Sequence, residues 1–151
     1  MVNNTKTKNI QLIIEQDALK KYEQYYFSIH TKAHKPPISY PYHESINKWM
    51  IMKRPMMNAL KQRWKDFIKW FVNEQGYTNL HIQKCEIHQI VYYPNSRRHD
   101  IDNSVPKFIL DGFVESGMVV DDDSEHIVKL TLECKIDRAN PRTELYIKIL
   151  N

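Results

Sequence analysis

Met57, Leu60, Trp64, Phe67 and Phe71 recur at spacings of three and four, the period that stacks side chains on one face of an α-helix. Pro55 suits a first helical turn and Gly76 is placed to stop the helix. A helix with so aromatic a face has to lie on an apolar partner, and the rest of the chain supplies strand-like segments for that purpose. Lys84 to Tyr93 (KCEIHQIVYY) is β-branched and aromatic and ends at Pro94-Asn95. His126 to Ile136 and Glu144 to Leu150 alternate like half-buried strands, and the turn-like residues 137–141 between them predict a hairpin. Asn9 to Glu15 reads as a strand, with a short helix running on through Tyr22 as the alternative, and the proline-rich stretch Thr31 to Tyr42 reads as a mobile extended loop. A second helix is predicted from Ser104 to Ser116, with Pro106 in its first turn, Val105, Ile109 and Phe113 on one face and Gly117 closing it.

The predicted order is strand, long loop, helix, strand, helix, strand, strand. It implies an α+β fold: a single small domain over residues 1–151, with a mixed or antiparallel sheet and two main helices packed on it. No stretch approaches the roughly 20 unbroken apolar residues of a membrane span. The first ten residues carry two lysines and no apolar core, which is unlike a secretory signal. A cytoplasmic location is therefore expected, and Cys85 and Cys134 are expected to be free thiols.

Charge is distributed unevenly. Met1 to Arg98 holds 16 Lys and Arg against 7 Asp and Glu, net +9, whereas His99 to Asn151 holds 6 against 11, net −5. A basic part that contacts phosphate and an acidic part that gathers a cation are both needed by a metal-dependent nuclease, although ordinary surface charge produces the same asymmetry. Lys61, Lys65 and Lys69 repeat every fourth residue away from the apolar seam and form either a stripe for a phosphate backbone or a solvated face. Arg97-Arg98-His99 stands just before the acidic segment, where the arginines suit phosphate flanking a cut.

The chemistry concentrates between Arg97 and Glu125. Asp100 and Asp102 lie two apart, so in an extended segment both carboxylates project to one side and repel unless a cation sits between them. The helix after them can return Asp121-Asp122-Asp123 to face that pair. Carboxylate oxygens alone suit a hard ion, Mg²⁺ or Mn²⁺, and such an ion activates water and neutralises phosphate charge. Lys107 and Asp111 share a helix face; the lysine either faces a scissile phosphate or forms a plain surface ion pair. A calcium loop over Asp100 to Asp111 is excluded by Val105 where glycine is required, and His81, Cys85 and His88 lack a fourth zinc ligand. His99 as a general base, and Tyr40, Tyr42, Tyr92 and Tyr93 as stacking platforms for unpaired bases, are further readings; the tyrosines suit a core or an interface equally.

The run from Asp100 through Phe113 (DIDNSVPKFILDGF), followed by Gly117 to Asp123 (GMVVDDD), resembles the signature of the RusA family of Holliday-junction resolvases: DxDN, a lysine, LD-(A/G)-L, a glycine, and a DD pair before a strand. The resemblance implies a homodimeric, Mg²⁺-dependent endodeoxyribonuclease, with Mn²⁺ able to replace Mg²⁺. It implies that the enzyme nicks opposing strands of a four-way junction in recombination and repair, and such enzymes are often encoded by phages and prophages. Carried over by position, Asp100, Asp102 and Asp122 are the essential metal-binding acids, Asp121 an acidic neighbour at the metal, and Lys107 the catalytic or DNA-positioning lysine. In the family the lysine usually stands three residues after the asparagine, whereas Lys107 is the fourth after Asn103. The triplet also leaves Asp123 in reserve for Asp122. Two other readings stay open: a non-catalytic branched-DNA-binding or regulatory protein, and a nuclease specific for flaps or forks.

Overall fold

The computed structural model describes residues 8–150. Strand β1 (Asn9–Ile14) forms as read, so the alternative of a helix through these residues does not hold, and it leads directly into helix α1 (Gln16–Ile29), a third substantial helix that the predicted order lacked. The strand's alternate residues Ile10, Leu12 and Ile14 are buried, and Leu19 and Tyr22 then bury themselves at helical spacing. Residues 31–42 form no helix or strand. They are nevertheless tied down by buried Ile38 and by the hydroxyl of Thr143, which donates to the Pro41 carbonyl at 2.7 Å. A one-turn helix α2 (Ile46–Trp49), absent from the sequence reading, precedes the long helix α3 (Arg54–Glu74). Leu60, Trp64, Phe67 and Phe71 of the expected seam are buried, joined by Ile68 and Val72. Gly76 ends the run at φ +82°, a conformation that favours glycine.

Strand β2 (Cys85–Tyr93), helix α4 (Lys107–Glu115), strand β3 (Ile127–Ile136) and strand β4 (Arg142–Ile149) complete the order. The sheet is mixed, in the order β1-β4-β2-β3, with β2 parallel to β3 and antiparallel to β4. The predicted hairpin between the last two strands therefore does not form, because β2 lies between them. The reason is connectivity: α4 carries the chain from the end of β2 back to its start, so β3 can pair only in parallel. The chain then crosses the end of β2. Asp137 still donates its N–H to Tyr93 at 2.9 Å, and Arg142 arrives on the far side with its guanidinium 3.7 Å from the Tyr92 ring centre. That arginine also holds Asp137 at 2.8 Å and Glu144 at 2.7 Å, clamping the crossing.

Helix α4 is shorter than expected. Ile101–Ser104 is a 3-10 turn instead, and Pro106 caps the helix rather than standing inside it. Pro106 has φ −86° and ψ 58°, and Lys107 donates its N–H to the Val105 carbonyl at 3.0 Å, the pattern of an inverse γ-turn.

Helices α3 and α4 approach closely because Gly112 has no side chain: a Cβ there would lie 2.6 Å from Cβ of Ile68. Gly112→Ala is expected to destabilise the fold by about 1–3 kcal/mol, read as a lower denaturant midpoint with unchanged m-value; an unchanged midpoint would show that the helices part without cost.

Candidate metal and phosphate site

The segment between β2 and α4 is anchored from below and from the side. Gln89, fully buried in β2, donates its amide N–H to the Ser104 carbonyl at 2.8 Å, and the Ser104 hydroxyl donates to the Ile101 carbonyl at 2.6 Å. The first turn of α4 is held by buried His43, whose Nε2 accepts the Phe108 N–H at 3.1 Å. An accepting Nε2 puts the ring proton on Nδ1, which donates to the Glu44 carbonyl at 2.6 Å. Burial lowers the pKa of His43 against the opposing pull of Glu44 and Asp111, which agrees with a neutral ring. Glu44 in turn accepts the indole N–H of Trp64 at 2.6 Å. The aromatic seam of α3 and the start of α4 are thus fixed to each other through two adjacent residues that the sequence reading did not single out.

On this scaffold the Lys107 ammonium lies 3.2 Å from Asp111 and 3.4 Å from Asp122. Partial burial pulls its pKa down, but the charge of Asp111 and then the hydrogen bonds and charge shared with Asp111 and Asp122 outweigh that, leaving it above the ordinary lysine value. The lysine is charged throughout the neutral range. The i,i+4 pair anticipated from spacing is present, and Asp122 adds a second carboxylate from another part of the chain. Asp111 is the hub: its Oδ2 is buried without a hydrogen-bond partner, 3.8 Å from the Lys61 ammonium. Lys65 pairs with Glu115 at 3.0 Å. Lys61, Lys65, Asp111, Val114, Glu115 and Asp122 line a cleft of about 260 Å³.

The lysine stripe of α3 is accordingly not a free phosphate track. Lys61 and Lys65 face the acids of α4, while Lys69 is exposed. Arg97 and Arg98 are exposed, and Arg98 lies 3.4 Å from Asp100. His99 stacks on Tyr93 at 3.7 Å between ring centres, and Tyr93 is itself buried. Tyr92 lies under Arg142, and Tyr40 is exposed, stacked on Tyr42. Cys85 and Cys134 are free, and burial pushes the Cys85 thiol up to about 11. His88 pairs with Glu133 on the face of β2 opposite to Cys85, so His81, Cys85 and His88 cannot share an ion.

The members of the acidic triplet have separate positions. Asp121 accepts the N–H of Asp122 at 2.7 Å, Asp122 faces Lys107, and Asp123 turns away to accept the N–H groups of Glu125 and His126 and to pair with the His126 ring. Asp100 is extended, but Asp102 lies inside the 3-10 turn, with Asn103 donating to the Asp100 carbonyl at 3.0 Å. The two carboxylates therefore do not project alike from an extended strand, because a three-residue turn rotates alternate positions apart. Among the described residues no group of three or more His, Cys, Asp or Glu is gathered closely enough to hold a metal ion. The donors fit a hard divalent ion in chemistry, being carboxylates throughout, and the Lys107 ammonium already lies against one of them, Asp122.

Residues 1–148 match the profile of the family described as Endodeoxyribonuclease RusA, and the chain belongs to that family. No curated protein matches it. No helix among the described residues is long and apolar enough to cross a membrane.

The hydrogen bond from His126 lowers the pKa of Asp123, and the same bond raises that of His126. A raised histidine pKa contributes stability below its unfolded value, lost as pH rises through the folded value; a lowered carboxylate pKa contributes above its unfolded value, lost as pH falls through the folded one. The pair thus acts between those two limits. NMR titration should place the His126 ring above the usual 6.5 in the native protein and return it toward 6.5 in Asp123→Asn; an unshifted ring in the native protein would show that Asp123 is free for another role.

Proposed function

We propose that this protein is a divalent-metal-dependent endonuclease that resolves four-way DNA junctions as a homodimer. The observation that carries the proposal is the Lys107 ammonium held between Asp111 and Asp122 at the start of α4, beside the 3-10 turn that bears Asp102. In this reading Asp100, Asp102 and Asp122 would hold Mg²⁺, with Mn²⁺ able to replace it, and Asp121 supports Asp122 through its backbone N–H. When bound, such an ion supplies Lewis acidity and an activated water.

The protein's own groups do the rest. Lys107, kept charged and aimed by two carboxylates, meets the scissile phosphate and stabilises negative charge as it develops on the departing oxygen. Arg97 and Arg98 grip phosphate beside the cut, and Lys69 adds a more distant contact. Lys61 and Lys65 act mainly by balancing Asp111 and Glu115, and so contribute to DNA through the net field of the cleft. One chain carries one such site, whereas resolution needs two opposed nicks. A two-fold dimer matches the near two-fold symmetry of the junction.

A labelled mobile junction, a linear duplex and a flap are incubated with wild type, Asp102→Asn and Lys107→Met, in Mg²⁺ or EDTA. Expected are paired symmetric nicks in the junction alone, abolished by EDTA and by Asp102→Asn, and slowed roughly 10²-fold or more in Lys107→Met, as for loss of one electrostatic contact in a transition state. Tight junction binding without cutting would establish a non-catalytic binding protein instead. Preferential cutting of the flap would establish a different substrate for the same site.

A further inference from the structure

Between α2 and α3 the chain presents Met50 and Ile51 to solvent, and Ile51, 84% exposed, is the most exposed large apolar side chain among the described residues. Met50 and Met56 are also well exposed, as is Ile101 on the neighbouring 3-10 turn. These side chains remain largely in solvent and are available to a partner. The position is fixed rather than free: Ser45 caps α2 by accepting the Lys48 N–H at 3.3 Å, Trp49 packs on Phe108 with ring centres 5.1 Å apart, and Met52 packs against the core. Phe108 follows Lys107 directly, and α2 packs against the turn that carries Asp102. The apolar tip therefore stands beside the proposed cutting site.

The segment that carries the tip is basic along the chain. From Ser45 to Lys65 there are six Lys and Arg and no Asp or Glu, and Lys48, Lys53 and Arg54, closest to the tip in sequence, are exposed. An apolar point flanked by unneutralised cations complements a site where two base pairs part between phosphates. Proteins that open or kink DNA insert Ile, Leu, Met or Phe side chains between bases in this way.

Building on the proposed function, we propose that Met50 and Ile51 form a wedge that enters the branch point of the junction and unstacks the bases there, while Lys48, Lys53 and Arg54 hold the flanking phosphates. The wedge makes branch geometry, rather than base sequence, the feature that aligns a strand with Lys107 and Asp102.

The full-length protein is bound, in EDTA, to a junction carrying 2-aminopurine at the branch point. Wild type should brighten the probe by unstacking it. The double variant Met50→Ser/Ile51→Ser, altered only at surface positions and checked for an unchanged unfolding midpoint, should leave the probe dark and bind the junction roughly tenfold more weakly, as for a lost stacking contact. Lys53→Gln/Arg54→Gln should instead lower the slope of log affinity against log salt by about two. Equal brightening by the double variant and wild type would overturn the wedge while leaving junction binding, and thus the proposed function, intact. Failure of wild type to bind any branched DNA would overturn both. Release of the double variant from phosphatidylglycerol vesicles that bind wild type, with its junction signal unchanged, would assign the tip to an anionic membrane surface and overturn the wedge.

Discussion

Parallel pairing of β2 with β3 is the constraint on which the rest of the arrangement depends. Two parallel neighbours cannot be joined by a tight turn, so the chain has to leave the end of β2, travel back along the sheet and re-enter beside the start of β2. That return path is the segment from Pro94 to His126, and it holds the three acidic positions and the lysine of the candidate site. The helix within it is only Lys107–Glu115. The acids on either side of α4 are thereby kept within one short crossover. Gly112 lets α4 sit against α3 at a distance no other residue would permit, and buried Gln89 and His43 tie down the turn and helix start that precede it.

The electrostatics follow from that geometry. Crowding of Asp111 and Asp122 is answered inside the protein by Lys107, with Lys61 behind Asp111. The lysine ends of these pairs are about half exposed, so solvent screening limits what they add to stability. Their effect is on position: a long, flexible side chain is confined to one place, charged, at the mouth of a small cleft. Asp102 and Asp100 stay on the outer turn, with the Asp100 carboxylate paired to the highly exposed Arg98. Neither carboxylate is locked into a buried pair.

Much of this was legible from local pattern. The seam of α3, its proline start and glycine stop, and strand β2 all rest on short-range rules that tertiary structure did not override. The misreadings came from long-range geometry. The last two strands alternate as a hairpin should, but β2 offered each of them a better-buried neighbour, and alternation alone carries no information about strand order. The second helix was drawn three residues too early at its start because Pro106 is permitted both in a first turn and as a cap, and only the turn at Val105 decides between them. The paired lysines of α3 looked free because their partners lie on a helix about fifty positions away. His43 and Gln89 carry no motif at all; their importance lies entirely in what the fold places next to them. The triplet of aspartates could be separated only once one was seen capping a turn and another facing Lys107.

The central claim is that Asp100, Asp102 and Asp122 share one divalent ion beside Lys107. Titration of Mn²⁺ into the ¹⁵N-labelled protein, read as paramagnetic broadening of backbone amides, tests it most directly. The account predicts that amides around Asp100, Asp102 and Asp122 broaden first and together, and that Asp122→Asn weakens the effect at least tenfold while Asp123→Asn leaves it in place. Broadening centred elsewhere, or equal in Asp122→Asn and wild type, would contradict it.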